Sequence, residues 1–394
     1  MCMRRILTAC FAALVCGLPV LISGSPSTAR AQPSRAAQSV PAAGTLVLRG
    51  SMASTATLTL TGALSVGRAT NLSWELPLPT SINLNGYAQS VLSTTFTFNT
   101  PPDSQSDLRV GANMTRRFHW DSPPPDAPLT VVETLRVRAV VRLNPFASSS
   151  PYPLTQAAVP DAVSAYARPT ALTTLPASAR PVAVRLARGA ASEAVVVTRV
   201  ANWVAERLRS RDTGAADPAS ALRTRRASAA GFSDVMAAFL RFLRIPVQFE
   251  FGWLSARPLY FPPAPDAPPL PVWTFPHGVD QAHGWINVYF PGSGWVPFDP
   301  EAEKFFVDTR HFGLFTNVDA GEPVDSSGAH WFGRWSAIPE SPGSATGKPL
   351  PGGQTEIVPG DGIASKVAIS GSDTFHVHLS AFRADVRNAQ LYAR

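Results

Sequence analysis

The sequence predicts an α+β protein: an antiparallel β-sandwich-like domain, then a core in which a central helix packs on an antiparallel sheet. Three observations carry this. Apolar and polar residues alternate with a period of two between 44 and 145. The apolar spacing becomes helical between 192 and 244. Strand patterns joined by a tight glycine turn return between 247 and 298. Proline, 38 of 394 residues, is about twice ordinary usage and weighs against an all-helical bundle. With 45% hydrophobic and 15% charged residues, the chain is apolar enough to fold around a sizeable core.

The N-terminus reads as an export signal. Arg4 and Arg5 precede the apolar run 6–22, which Pro19 interrupts, and Ala29-Arg30-Ala31 is a small-x-small cleavage pattern. A retained membrane anchor is the competing reading, but the run is short for a span. Leu7-Thr8-Ala9-Cys10 resembles a lipoprotein motif, yet almost no apolar run precedes it. Cleavage after residue 31 removes Cys2, Cys10 and Cys16, all the cysteines in the chain. It also removes Arg4, Arg5 and Arg30 with no acid, taking the net charge from +7 to +4. The exported protein then has no disulfide, no thiolate and no cysteine metal ligand. Arginine outnumbers lysine 31 to 3 without a dense basic run, so no nucleic-acid partner is expected. No later apolar run is long enough to span a membrane, so the mature protein is expected to be soluble, and the export signal places it in the periplasm or outside the cell.

Residues 32–43 form a Pro/Ala-rich linker. In the β-sandwich-like domain, 44–145, Thr55, Thr57, Thr59 and Thr61 alternate with Ala56, Leu58 and Leu60. Further on, Leu135, Val137, Ala139, Val141 and Leu143 alternate with Thr134, Arg136, Arg138 and Arg142. Turns such as Thr100-Pro101-Pro102-Asp103 separate the strands. Residues 146–190 are a Pro/Ala-rich connection. The core, 191–335, opens with a helix whose stripe is Val196, Val200, Trp203, Val204 and Leu208, with Ser192 as its candidate N-cap. A second helix over 229–244 carries the wide apolar face Phe232, Val235, Met236, Phe239, Phe242 and Leu243, and Ile245-Pro246 ends it. Strands are expected at Val247–Trp253, Gly284–Phe290 and Gly294–Phe298. Residues 336–364 read as a flexible Pro/Gly-rich segment, and 365–394 as a tail with one strand over Thr374–Phe382.

His283 and Asp299 flank a hairpin turned by Pro291-Gly292-Ser293-Gly294, so strand pairing can bring them onto one face. A carboxylate beside an imidazole fixes its tautomer and raises its basicity, as nucleophilic catalysis requires. Spacing alone is weak evidence, since most such pairs are structural.

The words around this pair resemble the transglutaminase-like superfamily, whose core has a papain-like cysteine-protease fold. The resemblance covers roughly 192–311. It runs through Trp203-Val204, Asp217-Pro218, Ala221-Leu222, Arg225-Arg226, the helix from Ala227 to Ile245-Pro246, Gly252-Trp253, and His283 to Pro300. The preceding strands also look like the β-domain found before this core in many bacterial members. The resemblance implies a nucleophilic cysteine at the start of the central helix, sixteen residues before the isoleucine of Ile-Pro, with His283 as general base and Asp299 as its orienting acid. That position is Ala229, and the usual glycine two before it is Ala227, while Phe232 matches the aromatic three after it. The frame is kept and the sulfur is absent.

Three functions follow as expectations. The first is an exported pseudoenzyme that binds a peptide or protein in the former active-site cleft. The second is an active hydrolase or acyltransferase using Ser228 or Ser233, although Ser228 also suits an N-cap. The third is a structural or assembly protein of the cell envelope. Trp285 and Trp295 are candidate cleft-lining residues, though either can pack beneath the His–Asp strands. The Pro-rich loop 254–276 is either a lid or a plain connection. No cofactor and no metal is expected. His277, Asp280 and His283 are close in sequence, and His376 and His378 share a strand face, but neither set spaces a full ligand quartet. His119, His311 and His330 stand alone.

Overall fold

The computed structural model describes residues 47–64, 69–110, 113–124, 127–143, 148–215, 217–257, 281–301, 307–317, 334–339, 347–349, 355–357 and 364–381. The leader 1–31, the linker 32–43, the 258–276 part of the Pro-rich loop, His277, Asp280 and His330 lie outside the described residues.

The chain first lays down β1 (Val47–Leu64), β2 (Ala69–Leu78), β3 (Ile82–Leu84), β4 (Tyr87–Phe98), β5 (Ser104–Val110), β6 (Asn113–Trp120) and β7 (Leu129–Leu143). Helices α1 (Asp161–Ser164), α2 (Arg180–Ala187) and α3 (Glu193–Arg207) follow. Next come β8 (Arg209–Ala215), α4 (Pro218–Thr224), β9 (Arg226–Ala227) and α5 (Ala229–Phe242). The core strands are β10 (Val247–Leu254), β11 (Gln281–Phe290), β12 (Gly294–Phe298) and β13 (His311–Asn317). The last described strands are β14 (Arg334–Pro339), β15 (Gly347–Pro349), β16 (Thr355–Ile357) and β17 (Ala364–Ala381). This is a mixed α+β architecture dominated by antiparallel sheets.

Two sheets form the sandwich, in the orders β17-β1-β7-β4-β3 and β15-β16-β14-β2-β6-β5. The period-two pattern explains their faces. Met52, Ser54, Ala56, Leu58 and Leu60 of β1 are buried, while the intervening threonines face outward. Strand β17 runs beside β1 from Ala63↔Ala364 to Val47↔Ala381, and β14 lies against β2. The C-terminal strand is therefore longer than the expected 374–382 segment and belongs to the N-terminal sheet. His376 and His378 sit opposite Ser51 and Arg49. Residues 336–364, read as a flexible segment, supply β15, β16 and most of β14. Three-residue strands hold too few residues for a period, and the partner of β14 lies more than 250 residues earlier, so local sequence carries no sign of them.

The long strands β1 and β7 serve two cores. Their Leu64, Leu129 and Val131 ends meet Trp74, Phe118 and Trp120 inside the sandwich. Their Met52–Leu60 and Leu135–Val141 stretches pack instead on Trp253, Trp285, Phe312 and Leu314 of a third sheet, β12-β11-β10-β13. The other face of that sheet, with Phe249, Phe251, Ile286, Val288 and Phe298, receives α5. Helix α5 is buried from Gly231 to Arg241, and Trp203 of α3 packs on Phe239 at a ring separation of 4.8 Å. The helix begins one residue after Ser228 and ends before Arg244, whose φ of 63° reverses the chain toward Ile245-Pro246. Ser192 precedes α3 in extended backbone but makes no side-chain capping bond; the Asp217 carboxylate does cap α4, accepting from the Ser220 N–H at 2.8 Å.

Polar bonds fasten the sandwich to the core sheet. Tyr87 donates to the His311 carbonyl at 2.7 Å. Gln89 exchanges two bonds with Gly313, and Asn113 exchanges two with Thr316. Strand β13 is thus held between β10 and the sandwich.

Candidate functional site

The register of β10, β11 and β12 assembles the site at one end of the core sheet. Gly292 and Gly294, at φ of 79° and 76°, make the turn between β11 and β12, and pairing runs from Phe290↔Gly294 to Ile286↔Phe298. Continued past β12, that register sets Asp299 opposite Trp285 and Glu301 opposite His283. On the other side of β11, His283 pairs with Gly252 of β10, and Gly252 pairs with Gly313 of β13. Two residues before Gly313 is His311, at the start of β13, so three separate strand ends converge.

The sequence-predicted pair is formed. His283 Nε2 lies 3.1 Å from Asp299 Oδ2, and both side chains are fully buried. The same Oδ2 is 3.1 Å from Nε2 of His311, which the sequence reading left standing alone. The other carboxylate oxygen, Oδ1, accepts the Glu301 N–H at 3.1 Å. A second tier surrounds this trio. His283 Nδ1 is 3.5 Å from Glu301 Oε2, and the other Glu301 carboxylate oxygen accepts a bond from the Ser210 hydroxyl. His311 Nδ1 is 3.1 Å from Asp308 Oδ1 and 3.2 Å from the Asp308 N–H. Arg310 grips Asp308 through Nη2 at 2.8 Å and Nε at 3.1 Å, and donates to the Arg257 carbonyl at 2.8 Å. Burial alone would raise the Asp299 pKa, but attraction to His283 and the bonds from His283 and His311 outweigh it. Its carboxyl is held well below the usual carboxylate range.

Ala229 is the first residue of α5 and is half-buried. Ser228 caps the helix, its Oγ accepting the Gly231 N–H at 3.2 Å. Ser233, one turn beyond Ala229, donates to the Gly284 carbonyl at 3.0 Å. That bond ties the Ala229 face of the helix to the residue following His283. Both candidate serine hydroxyls thus have a backbone partner. Trp285 is fully buried, with its ring 5.2 Å from His311 and 6.2 Å from His283, so it packs under the histidines rather than lining an open cleft. Trp295 is half-buried and stands edge-on to Tyr166 and Tyr289.

Sequence reasoning missed His311, Asp308, Arg310 and Glu301. Glu301 was within reach, since the hairpin register sets it opposite His283. His311 carried no local signal, because its strand pairs with β10 rather than with β11. Among the described residues, His283, Asp299 and His311 are the one group whose donor atoms gather closely enough, within 4.8 Å of one another, to hold a metal ion.

Residues 180–300 match the family model described as the transglutaminase-like superfamily. Among solved structures, a proposed cysteine protease from Cytophaga hutchinsonii aligns with a TM-score of 0.50 at 11% identity, over 86% of this chain and 94% of that one. The periplasmic domain of TgpA from Pseudomonas aeruginosa aligns at 15% identity with a TM-score of 0.30, over 66% of this chain and 88% of that one. No curated protein matches the sequence. No helix among the described residues is long and apolar enough to cross a membrane.

Proposed function

From the match of residues 180–300 to the transglutaminase-like superfamily model, we propose that this chain is an exported, catalytically silent relative that binds a peptide or protein segment in the former active-site cleft. The observation that carries the reading is Ala229. It begins the central helix, at the position where the resemblance puts the nucleophile, while the His283–Asp299 pair is intact. A methyl group cannot attack a carbonyl. Triad enzymes stripped of their nucleophile keep only a residual ~10³–10⁴-fold acceleration, against the ~10⁶ or more of a working enzyme. The bonds of Ser228 to the helix N-terminus and of Ser233 to the Gly284 carbonyl speak against a substitute nucleophile. The apolar N-terminal run and its cleavage pattern support export, and cleavage there would leave the mature chain without a thiol, since all three cysteines lie within the first 16 residues.

Restoring the sulfur tests the assignment. In a folded Ala229→Cys variant, iodoacetamide alkylation followed against pH should report a thiol at least about one unit below the ordinary ~8.5. Adding His283→Ala should return it toward that value. An ordinary thiol pKa in the folded single variant removes Ala229 from the site. For the ligand, an immobilised peptide library is passed over wild type and His283→Ala. Peptides held by the first and lost by the second support the cleft, and equal retention assigns binding elsewhere.

A further inference from the structure

We propose that His283, Asp299 and His311 form a binding site for one divalent first-row transition-metal ion of the zinc type. The inference stands on the described geometry and does not require Ala229 to be the nucleophile position. It departs from the sequence expectation of no metal, which rested on spacing along the chain and could not see three strand ends meeting.

Two imidazole nitrogens and one carboxylate oxygen form a donor set suited to zinc, and to iron, nickel or copper in other geometries. Here both Nε2 atoms lie 3.1 Å from Asp299 Oδ2, with all three donors within 4.8 Å of one another. Ligand atoms around a four-coordinate zinc, each about 2.0–2.2 Å from the ion, are separated by roughly 3.3 Å, so modest side-chain adjustment suffices. All three side chains are fully buried, which fixes their rotamers.

The surroundings match a metal site more closely than a simple His–Asp dyad requires. Metal-bound histidines almost always face a carboxylate or carbonyl with their other ring nitrogen, which sets the tautomer and strengthens the ligand. Carboxylates lie near both outer nitrogens here: His311 Nδ1 is 3.1 Å from Asp308 Oδ1 while also accepting the Asp308 N–H, and His283 Nδ1 is 3.5 Å from Glu301 Oε2, a charge contact rather than a hydrogen bond. Asp308 is in turn held by Arg310, and Glu301 by Ser210. The third ligand is also oriented, because the Glu301 N–H occupies Asp299 Oδ1 and leaves Oδ2 toward the two rings. As the bonds stand, each Nε2–H can donate to Asp299 Oδ2, and a cation that displaces these two protons would take both Nε2 lone pairs and the same carboxylate oxygen as ligands. The competing arrangement places protons on Nε2 and needs no ion.

Zinc binding to the chelator-treated chain decides between them. Isothermal titration with ZnCl2 should show one ion per chain with micromolar or tighter affinity. His311→Gln and Asp299→Asn should each weaken it by at least about 100-fold, and Asp308→Asn by about 10–100-fold, as outer partners do. His119→Gln, on the sandwich, should leave it unchanged. Because a ligand variant can fail to fold, X-ray absorption of the zinc-loaded wild type gives a second reading, expected to show two imidazoles in a four-coordinate nitrogen/oxygen shell. No stoichiometric zinc uptake by wild type, an imidazole-free shell, or undiminished binding in both folded ligand variants would each overturn the proposal. None of these outcomes bears on the Ala229→Cys thiol, so the two readings fail separately.

Discussion

Ser233 shows how much of the site depends on a single hydroxyl. It lies one helical turn beyond Ala229 and is buried, and its O–H donates to the carbonyl of Gly284. A buried serine bonded in this way seats the helix on the strand that carries His283. Replacing it leaves a carbonyl without that donor. Ser233→Ala should therefore lower stability by about 1 kcal/mol, measured by urea unfolding. A catalytic serine would behave differently, losing fluorophosphonate labelling while stability held. Arg241, further along the same helix, is a second buried polar anchor. Its guanidinium reaches Thr173 Oγ1 at 3.0 Å and the Val247 carbonyl at 2.7 Å, and lies 5.4 Å from the Phe249 ring centre.

At the scale of the element, β10 determines whether the two histidines meet. It separates β11 from β13, and its pairing with β13 slips between Phe251 and Gly252. Gly252 faces His283 on one side and Gly313 on the other. A Cβ at residue 252 would fall 1.9 Å from the Phe312 carbonyl oxygen, a backbone atom that cannot turn aside. Only glycine lets β13 approach closely enough for His311 to reach Asp299. Gly252→Ala should cost about 3 kcal/mol or more in unfolding free energy, beyond an ordinary surface alanine. Any folded fraction should show displaced His311 ring resonances in NMR spectra. An unchanged melting temperature would contradict this account of the bulge.

For the whole molecule, the junction of sandwich and core carries a titratable group. Glu133 on β7 shares its face with Val131, which packs inside the sandwich, and with Leu135, which packs toward the core sheet. Burial raises its pKa from 4.5 to about 8. Glu193 and Glu250 are raised to about 8 as well, each mainly by burial. Between pH 4.5 and about 8 the folded chain holds protons that the unfolded chain releases, so stability falls as pH rises through that window. Glu133→Gln removes one of these groups. Its stability should decline less between pH 5 and 8 than that of wild type, by roughly 1 kcal/mol or more, read from unfolding curves at each pH. Parallel pH profiles for the two proteins would show that Glu133 does not titrate in this range.

The sequence by itself determined the parts of this protein whose signals are local. Alternating threonines and aliphatics fixed the faces of β1. The 3.6-residue spacing through Phe232, Met236 and Phe239 fixed α5, and Pro291–Gly294 fixed the hairpin that joins His283 to Asp299. That all three cysteines fall within the first 16 residues is likewise read without a fold. Only the tertiary structure brought His311 to Asp299, returned β17 to β1, and drew β14, β15 and β16 into the sandwich. Periodicity records which side of its own element a residue faces, as solvent and core do at every turn or alternate residue. Which distant strand lies alongside is a matter of register and close approach, resting on features as small as the missing Cβ of Gly252.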